Sequence, residues 1–474
     1  MKKLLFLIVI VSVLQVNSQT LCKNGTAGSF PCNDYNLMSQ ISLATMDASL
    51  ANDSWGWTDA TTGKEYAIVG LNNGTAFIDI SDAINPVYLG KLPTADKEND
   101  WRDIKVYKDH AFVVADFAGD HGMQVFDLTK LRNVTNPPVT FRSDAKYTGF
   151  DGAHNIVINE DSGFAYAVGT TTFNGGAHFI NIQDPKNPVE AGGFVSDRGD
   201  SYSHDAQVIT YSGPDTEHIG KEILIGSNQI EIVIADVSDK NNPVTLSTMR
   251  YRDVGYTHQG WFTEDHRYFL LGDELDELAI GFNTRTIIFD FEDLDNPKFH
   301  MNYTGLTSAT DHNGYVKGDK FYLANYQAGL RVVDISDIAN KNISEIGFFD
   351  SFPSNDSASF GGAWNVYPFF DSGNIVISDQ SSGFLLVRQS NTLSDFGTKP
   401  DFVMYPNPAQ SKLVIDGGNN FQLKKIEIYS ILGEKVEEVI NFDTPGSTSI
   451  NLGYATGIYM VRVNDTATKK LVIE

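Results

Sequence analysis

Short runs of apolar residues, bounded by Gly, Asn, Asp and Pro, recur along most of the chain. Runs of this kind, rich in β-branched and aromatic residues, favour β-strands, and no long stretch repeats apolar residues with helical spacing. Seven predicted strands end on an acidic or other polar residue: Ala76–Asp79, Gln124–Asp127, His178–Asn181, Ile232–Asp236, Thr286–Asp290, Leu330–Asp334 and Leu385–Arg388. The pattern predicts an all-β chain with few helices.

An earlier strand of each unit opens in a second recurring way. A tryptophan or histidine is followed by a small or polar residue and then by apolar ones, at Trp55, Trp101, His154, His204, His258, His312 and Trp364. These positions recur about every 50 residues, and self-similarity of that period with β-type patterning is typical of a β-propeller. Seven units predict seven blades.

Most units also carry a polar turn that ends in an Asn-Pro pair. The pairs are Asn85-Pro86, Asn136-Pro137, Asn187-Pro188, Asn242-Pro243 and Asn296-Pro297. Proline fixes φ and lacks an N–H, so it suits a turn or the first residue of an edge strand. The run after each proline is therefore predicted to be the outer strand of a four-stranded blade.

The seventh unit lacks this outer run. The N-terminal stretch Met38–Met46 has the missing pattern, because Ile41 and Leu43 alternate with polar or small residues. We expect this stretch to supply the outer strand of the last blade and to close the ring, which removes open sheet edges. The alternative is a loose N-terminal arm.

The chain divides into four predicted segments. Residues 1–18 have a basic start, a short apolar run and small residues before Gln19, and they predict a secretory signal peptide. Residues 19–390 form the propeller, residues 391–400 a polar linker, and residues 401–474 a small β-sandwich with alternating apolar positions. No other stretch has the length of a membrane span.

Cysteine usage and charge agree with export. The two cysteines, Cys22 and Cys32, lie near the predicted mature N-terminus, and a disulfide is favoured over a metal-binding or catalytic thiol pair because Cys-x-x-Cys spacing and a nearby histidine are missing. The formal net charge of −25 argues against nucleic-acid binding, which needs a basic surface.

The C-terminal segment resembles the type A sorting domain of the type IX secretion system of Bacteroidota. The resemblance rests on Tyr405-Pro406-Asn407-Pro408, on residues 429–433 and on the terminal Lys469-Lys470-Leu471-Val472-Ile473. It implies recognition by the type IX secretion machinery, removal of the domain during export, and release or attachment at the cell surface. The alternative is a generic carbohydrate-binding or adhesive β-domain.

The main segment is similar to the bacterial choice-of-anchor B family. The similarity rests on residues 52–59, 101–106, 153–156 and 256–261, and the Asp-ending strands resemble the LVIVD-type propeller repeats of that family. It covers roughly residues 22 to 390 and implies a propeller, but the family brings no established activity.

Four of the seven strand openers are histidines, and in a propeller they meet near the axis. His154, His204, His258 and His312 are therefore candidate ligands of a transition metal such as Zn, Fe or Cu. The alternative is a structural ring, since tryptophan occupies the same position three times, or histidines that face solvent. Residues predicted at the same mouth, as a second shell or a ligand cradle, are Arg102, Asp103, Asp205, Gln207, Gln259 and Asp311. Hydrogen bonding between adjacent blades is the other interpretation of each.

The densest acidic cluster interrupts the fifth unit between its second and third strands. Asp273, Glu274, Asp276 and Glu277 form a candidate calcium loop, because hard cations prefer carboxylate oxygens. The spacing is not that of an EF-hand, so a solvated acidic loop is the alternative.

Three functions remain open at this point. The leading hypothesis is a non-enzymatic, exported propeller that binds a ligand or protein at the cell surface, since fold alone does not fix activity. The second is a metal-dependent hydrolase or lyase centred on the four histidines. The third is a calcium-stabilised structural surface protein.

Overall fold

A computed structural model describes residues 19–390, 402–416, 423–430, 435–440, 447–464 and 467–473. The predicted signal peptide and linker lie outside the described residues. The predicted all-β class is confirmed, since the helices of the described part are short: α1 (Asp276–Ala279) and three 3-10 helices at Leu128–Asn133, Phe173–Gly175 and Ile338–Asn340.

The strands of residues 19–390 follow in chain order. They are β1 (Thr26–Ala27), β2 (Phe30–Asn33), β3 (Tyr35–Ile41), β4 (Ala51–Thr58), β5 (Glu65–Leu71), β6 (Gly74–Asp79), β7 (Val87–Pro93), β8 (Arg102–Tyr107), β9 (His110–Ala115), β10 (Met123–Asp127), β11 (Val139–Thr140), β12 (Ala145–Tyr147), β13 (Asn155–Asn159), β14 (Phe164–Val168), β15 (His178–Asn181), β16 (Val189–Gly193), β17 (Asp205–Thr210), β18 (Glu222–Asn228), β19 (Glu231–Asp236), β20 (Val244–Met249), β21 (Thr257–Phe262), β22 (Tyr268–Asp273), β23 (Arg285–Asp290), β24 (Lys298–Thr304), β25 (Gly314–Lys317), β26 (Lys320–Ala324), β27 (Leu330–Asp337), β28 (Asn342–Phe349), β29 (Ala363–Tyr367), β30 (Asn374–Asp379) and β31 (Gly383–Gln389).

These strands form sheets 1 to 7, numbered by their position in the chain. Their orders are β4-β5-β6-β7, β8-β9-β10-β12, β13-β14-β15-β16, β17-β18-β19-β20, β21-β22-β23-β24, β25-β26-β27-β28 and β29-β30-β31-β3. Sheet 1 continues from β7 to β11, and sheet 6 continues from β28 to β2 and β1. Neighbouring strands within each four-stranded unit are antiparallel.

The first-named strand of each sheet is its innermost strand. Each innermost strand contacts that of the next sheet, and β29 contacts β4 again, so the contacts run in a cycle. Buried apolar clusters lie between every two consecutive sheets, including sheets 7 and 1. A hydrogen bond from Asn365 Nδ2 to the Ser54 carbonyl, 2.6 Å long, joins the last innermost strand to the first. The arrangement is propeller-like.

The N-terminal segment is fastened to sheets 6 and 7. The outer-strand prediction is confirmed for β3, which pairs with β31, but the strand ends at Ile41 and residues beyond it form a turn. The predicted disulfide is also confirmed: Cys22 and Cys32 are bonded, with their Cα atoms 6.0 Å apart. Cys32 lies in β2 and pairs with Phe349 of β28, so the bridge holds the segment against the sheets rather than leaving a loose arm.

One outer strand differs from the prediction. The run after Asn136-Pro137 forms β11, which pairs in parallel with β7 of sheet 1, and β12 is the outer strand of sheet 2. Val139 approaches the backbone of Gly90 so closely that a Cβ there would lie 1.9 Å from the Val139 oxygen. Gly90 therefore permits β11, which belongs to the second unit in sequence, to pair with β7 of sheet 1.

The C-terminal segment has its own strands and apolar core. The strands are β32 (Val403–Tyr405), β33 (Lys412–Asp416), β34 (Lys425–Ser430), β35 (Lys435–Ile440), β36 (Ser447–Asn451), β37 (Gly457–Val463) and β38 (Ala467–Ile473). They form two sheets, β32-β33-β36 and β35-β34-β37-β38. Buried residues of both, such as Leu413 and Ile428, belong to one cluster.

Antiparallel pairing fixes which segments share an end of the sheets. Each innermost strand starts at the end where the second strand finishes, so loops after β9 and β22 open beside the starts of the innermost strands. We call this end the histidine mouth. It is lined by Trp101, Arg102, His154, Asn155, His204, His258, His312, Asn313 and Trp364. The opposite ends of the innermost strands surround a larger cavity, which we call the funnel.

Candidate metal centre

The four histidines of the repeat come together at the histidine mouth. His154 and His204 directly precede β13 and β17, His258 is the second residue of β21, and His312 lies two residues before β25. Neighbouring ring centroids are separated by 4.1 Å for His154 and His204, and by 4.4 Å for each of the next two pairs. Side chains far apart in sequence therefore form a row of touching imidazoles.

Three of these imidazoles are neutral at physiological pH. His204, His258 and His312 are buried, whereas His154 is partly exposed. Burial, together with the neighbouring imidazoles, lowers the pKa of His258 and of His312 to about 3 and that of His204 well below 6.5. A neutral imidazole has the lone pair that a metal ion requires, so these rings are prepared as ligands.

Hydrogen bonds orient the rings into the mouth. The Nδ1 of His312 lies within hydrogen-bonding distance of the Trp364 carbonyl, which assigns the proton to Nδ1 and leaves Nε2 as an acceptor. His204 and His258 repeat this arrangement in a looser form, since the ring of His204 interacts with the backbone of His258 and the ring of His258 with the backbone of His312. Each histidine of the row is therefore oriented by the backbone of the next unit.

A carboxylate completes the cluster. Glu274, from the loop after β22, lies with Oε2 3.7 Å from His258 Nε2 and with Oε1 3.7 Å from His312 Nε2. Tyr326 donates a hydrogen bond of 2.8 Å to Glu274 Oε1 and holds the carboxylate in place. Ligand atoms of His204, His258 and Glu274 all lie within 4.8 Å of one another.

The cavity among the four histidines is small. Its volume is about 10 Å³, which is room for one water molecule or one ion rather than an organic ligand. Ligands bound at about 2.0–2.2 Å from a metal lie roughly 3–4 Å from each other, so the 3.7 Å separations suit a shared ion. The mouth therefore has the donor set and the dimensions of a metal centre.

His154 has a different partner from the other three histidines. Its Nδ1 lies 2.9 Å from Oδ2 of Asp116, which follows β9 and so opens at the same mouth. A carboxylate on one ring nitrogen fixes the tautomer and the orientation of the imidazole. Asp116 therefore holds the His154 ring beside the cluster.

Arg102 also lines the mouth, as the sequence predicted. It is buried, and its guanidinium bonds the Leu71 carbonyl through Nε and lies with Nη1 2.9 Å from His121 Nε2. Its Nη2 has no partner within the described residues. Burial lowers the pKa of Arg102 only to about 10, so the guanidinium stays cationic.

Asp103 and Asp205 lie deeper than predicted, between the two mouths. Asp103 accepts a hydrogen bond of 2.7 Å from the Ile156 N–H and pairs with Lys105 at 2.6 Å. Although burial opposes ionisation, Lys105 lowers the pKa of Asp103. Burial and the Asp103 charge raise the pKa of Asp205 to about 7. Neither carboxylate is bonded to an imidazole of the cluster.

The two glutamines connect neighbouring sheets instead of lining the mouth. Gln207 accepts a hydrogen bond of 2.9 Å from the Phe262 N–H, and Gln259 accepts one of the same length from the Gly314 N–H. Gln259 also donates to the Gly314 carbonyl. These contacts agree with the alternative interpretation of inter-blade hydrogen bonding.

The acidic loop is largely buried, so the alternative of a solvated loop is wrong. Asp273 and Asp276 are fully buried and Glu277 nearly so. Asp273 accepts hydrogen bonds from the Gly255 and Tyr256 N–H groups, and Asp276 pairs with Arg285 at 2.5 Å. The candidate calcium loop thus sends its carboxylates in different directions, and Glu274 points to the histidines.

Asp311 lies beneath the mouth among these buried acids. Its side chain is 1% exposed, and neither carboxylate oxygen has a partner among the described residues. Burial, reinforced by the neighbouring acids Glu277 and Asp276, raises the pKa of Asp311 well above its usual range. Burial and Asp276 likewise raise the pKa of Glu277 to about 9. Both groups are therefore held mainly as neutral acids.

The predicted position of Trp55 is wrong. Trp55 lies inside β4 and lines the funnel, not the histidine mouth. The Ile104 N–H donates to Asp53 in the way that the Ile156 N–H donates to Asp103, so Asp53 is the counterpart of Asp103. The sheet 1 counterpart of Trp101 is then Ala51, two residues before Asp53.

Sequence reasoning missed Glu274 and Asp116 as residues of the mouth. The sequence pattern places Glu274 in a candidate calcium loop, and it does not single out Asp116. Both follow the second strand of their sheets, which is the end where the innermost strands start. The order of the strands in each sheet is the information that would have placed Glu274 and Asp116 beside the histidines.

Comparisons with known proteins identify the C-terminal segment. The family described as the secretion system C-terminal sorting domain matches residues 403–474. No curated protein matches the chain. A protein of unknown function from Desulfotomaculum acetoxidans is similar in structure, with 12% identity and a TM-score of 0.46 over 68% of this chain and 94% of that one.

Two further solved structures are similar at the same level. The β-propeller domain of Cps50 (Swd1) from Myceliophteria thermophila has 8% identity and a TM-score of 0.45 over 68% of this chain and 93% of its own. A protein from Lactobacillus plantarum has 11% identity and a TM-score of 0.46 over 85% of this chain and 98% of its own.

The sorting domain determines where the protein goes. It directs the chain to the type IX secretion machinery, as the sequence predicted. None of the helices in the described residues has the length and apolar character that crossing a bilayer requires. The protein is secreted and is extracellular or attached to the outer membrane surface.

Proposed function

We propose that this protein is an exported seven-bladed β-propeller that binds one divalent transition-metal ion at His204, His258, His312 and Glu274. The propeller spans residues 19–390, after a signal peptide of residues 1–18. A linker of residues 391–400 leads to a β-sandwich sorting domain of residues 401–474. The protein belongs to the LVIVD-repeat, choice-of-anchor B group of Bacteroidota and acts as a binding module at the cell surface.

The cyclic packing of the sheets supports the blade count. Each apolar cluster takes residues from two consecutive sheets, and the cluster of Ala67, Ile78 and Leu386 joins the last sheet to the first. Ser372 and Asn374 also donate hydrogen bonds to Glu65 across this junction. A closed ring has no free sheet edge at this point, which favours a stable exported protein.

The metal proposal rests on one observation. Three neutral imidazoles line a space that holds one ion, and ligand atoms of His204, His258 and Glu274 all lie within 4.8 Å of one another. Nitrogen ligands with one carboxylate suit Zn²⁺ or Fe²⁺, and an imidazole-rich site also suits Cu²⁺. The bound ion would neutralise Glu274 and use the free nitrogen lone pairs.

Elemental analysis of the mature protein, purified without a histidine tag, tests this proposal. We expect about one transition-metal ion per chain and loss of that ion when His204→Ala and His258→Ala are combined. His300→Ala is the matched control, because His300 bonds the Ile338 carbonyl away from the mouth. A folded protein that carries no transition metal, and takes up none on dialysis against Zn²⁺, contradicts the proposal.

A metal-dependent hydrolase or lyase is the second candidate, and the pair of His154 and Asp116 favours it. A general base next to a metal ion activates a bound water molecule, and Arg102 offers an unpartnered N–H for an anionic group. Asp116→Asn separates the two functions. Hydrolysis of model esters and phosphoesters that falls at least about 100-fold in this variant, with the metal retained, indicates an enzyme. Loaded wild-type protein with no turnover leaves the binding function alone.

A further inference from the structure

The funnel is a second cavity that the metal proposal does not use. Its volume is about 450 Å³, which falls in the range of small-molecule sites and far exceeds the histidine mouth. It lies where the innermost strands end, and its walls come from β8, β13, β17, β21, β29 and β4. A cavity of this size on the axis is ready for an organic ligand without rearrangement of the sheets.

Aromatic side chains form one wall of the funnel. Trp55, Trp261, Tyr367 and Phe369 are partly exposed there, unlike the fully buried rings between the sheets. The ring centroids of Trp55 and Tyr367 are 5.1 Å apart, and those of Trp261 and Phe369 are 6.2 Å apart. These contacts hold the rings as a fixed wall, with π faces and ring edges available to a ligand.

The protein already places one of its own cations on this wall. Lys105 Nζ lies 4.6 Å from the centroid of the Trp55 ring. The same ammonium pairs with Asp103 at 2.6 Å and lies 3.8 Å from Asp53, so carboxylates beneath the floor balance its charge. The Lys105 contact therefore shows that an aromatic ring of this wall accommodates a cation. Because its charge is balanced, Lys105 does not make the cavity positive.

Unpaired carboxylates form the opposite wall. Glu160 and Asp161 directly follow β13, line the funnel and are exposed. No lysine, arginine or histidine of the described residues forms an ion pair with either one. Glu160 and Asp161 line the same cavity as Trp261 and Tyr367, and the Glu160 charge adds to burial in raising the pKa of Tyr367. The funnel thus combines π faces with uncompensated negative charge.

We propose that the funnel binds an organic cation, an ammonium or guanidinium group on an apolar stem. The charged group lies between the Glu160 and Asp161 carboxylates and the faces of Trp261 and Tyr367, and the stem occupies the rest of the cavity. The source is either a free amine or a basic side chain of a peptide, since both present the same chemistry. This inference is independent of the metal centre.

Isothermal titration of the full mature protein with two charged probes and their neutral isosteres tests the proposal. Choline is paired with 3,3-dimethylbutanol, and N-acetylarginine amide with N-acetylcitrulline amide. We expect a charged probe to bind below about 10 mM and its neutral isostere at least about tenfold more weakly. Preference for choline indicates a free amine as the source, and preference for the arginine probe indicates a peptide.

Variants locate the binding within the funnel. Glu160→Gln and Trp261→Leu are each expected to weaken binding of the charged probe about tenfold. Glu217→Gln, an exposed glutamate elsewhere, and Trp101→Leu, an exposed indole at the other mouth, are the matched controls and leave affinity unchanged. Thermal unfolding and circular dichroism verify that each variant folds.

Three results overturn the inference: no heat of binding from either charged probe up to about 10 mM, equal affinity for charged and neutral members of a pair, or unchanged affinity in both funnel variants. The titration is repeated on metal-free protein. A funnel that binds cations without the metal supports this inference even where the metal proposal fails.

Discussion

The two mouths of the channel are built from the same innermost strands and yet differ in size and chemistry. The histidine mouth holds about 10 Å³ among imidazoles, indoles and one guanidinium, whereas the funnel holds about 450 Å³ among aromatic rings, a lysine and two unpaired carboxylates. Strand starts carry a repeated residue and converge tightly, while strand ends carry residues particular to each unit. The repeated residues at the strand starts therefore favour an ion at the histidine mouth. The varied residues at the strand ends leave a cavity for an organic ligand in the funnel.

The charges behind the two mouths also differ. Below the funnel, Asp103 is paired with Lys105, which lowers the pKa of the carboxyl. Below the histidine mouth, Asp311 has no partner among the described residues and its pKa is raised. A cation in the histidine mouth would sit above neutral acids, and a ligand in the funnel would sit above a paired lysine.

Glu274→Gln is expected to give the largest difference between the two mouths, because it should weaken metal binding without changing the funnel. The change keeps the shape of the side chain and removes the charge that faces His258 and His312. We expect metal affinity to fall at least about 100-fold and the cation affinity of the funnel to stay the same. Competition with a fluorescent chelator measures the first, with Glu292→Gln as the control. Unchanged metal affinity would place the ion elsewhere.

Asp311→Asn tests the difference in buried charge. The folded-state pKa of Asp311 is raised, so the unfolded chain loses this proton first and wild-type stability falls as pH rises above about 4. The variant lacks this penalty, and its advantage in the free energy of unfolding should grow by up to about 1.4 kcal/mol per pH unit. Urea unfolding measures it, at intervals of roughly one pH unit from about pH 5 to about pH 8.

The paired carboxylate provides the opposite control. Asp103→Asn removes the partner of the buried Lys105 and is expected to lower stability at neutral pH. A constant difference between Asp311→Asn and wild type across the pH range would show that Asp311 is ionised in the folded protein.

Tyr326→Phe should have a smaller effect. The phenol donates the hydrogen bond of 2.8 Å that positions Glu274, while its ring packs on His312 with centroids 4.6 Å apart. Loss of the hydroxyl alone should weaken metal binding by about tenfold or less. The ring contact is preserved, so thermal stability of the metal-free protein serves as the control. A loss as large as that of Glu274→Gln would make Tyr326 itself a ligand.

The smallest expected effect is that of metal binding at the histidine mouth on cation binding in the funnel. Saturation with metal should change the affinity of the funnel for a cation by less than about twofold, since paired and neutral groups separate the two sites. Titration of choline into loaded and metal-free protein measures this. A change of about tenfold or more would show that the mouths are coupled.

Much of the fold was accessible from the sequence because repetition amplifies a weak local signal. Asn-Pro turns and Asp-ending strands recur in step, and the missing outer strand pointed directly to residues that form β3. The prediction for Trp55 is wrong because sheet 1 has a small residue, Ala51, where the other units have an aromatic ring or an imidazole. Trp55 is the nearest tryptophan in the sequence, and it therefore resembles the strand opener of that unit.

The site was only half predictable for a related reason. The histidines are repeated and therefore visible, but Glu274 and Asp116 occur once each, in loops of different length. Their place at the mouth follows from antiparallel strand order combined with three-dimensional closure. The funnel was not predicted, although Trp261 and Tyr367 each lie three residues after a strand opener, because Glu160 and Asp161 come from a single loop and have no counterpart of this kind.

X-ray absorption spectroscopy of the metal-loaded mature protein tests the central claim most directly. We predict a spectrum with three imidazole nitrogens and one carboxylate oxygen at about 2.0–2.2 Å from the ion, and loss of the oxygen contribution in Glu274→Gln. A spectrum without imidazole scattering, or one that Glu274→Gln leaves unchanged, would contradict a metal centre at the histidine mouth.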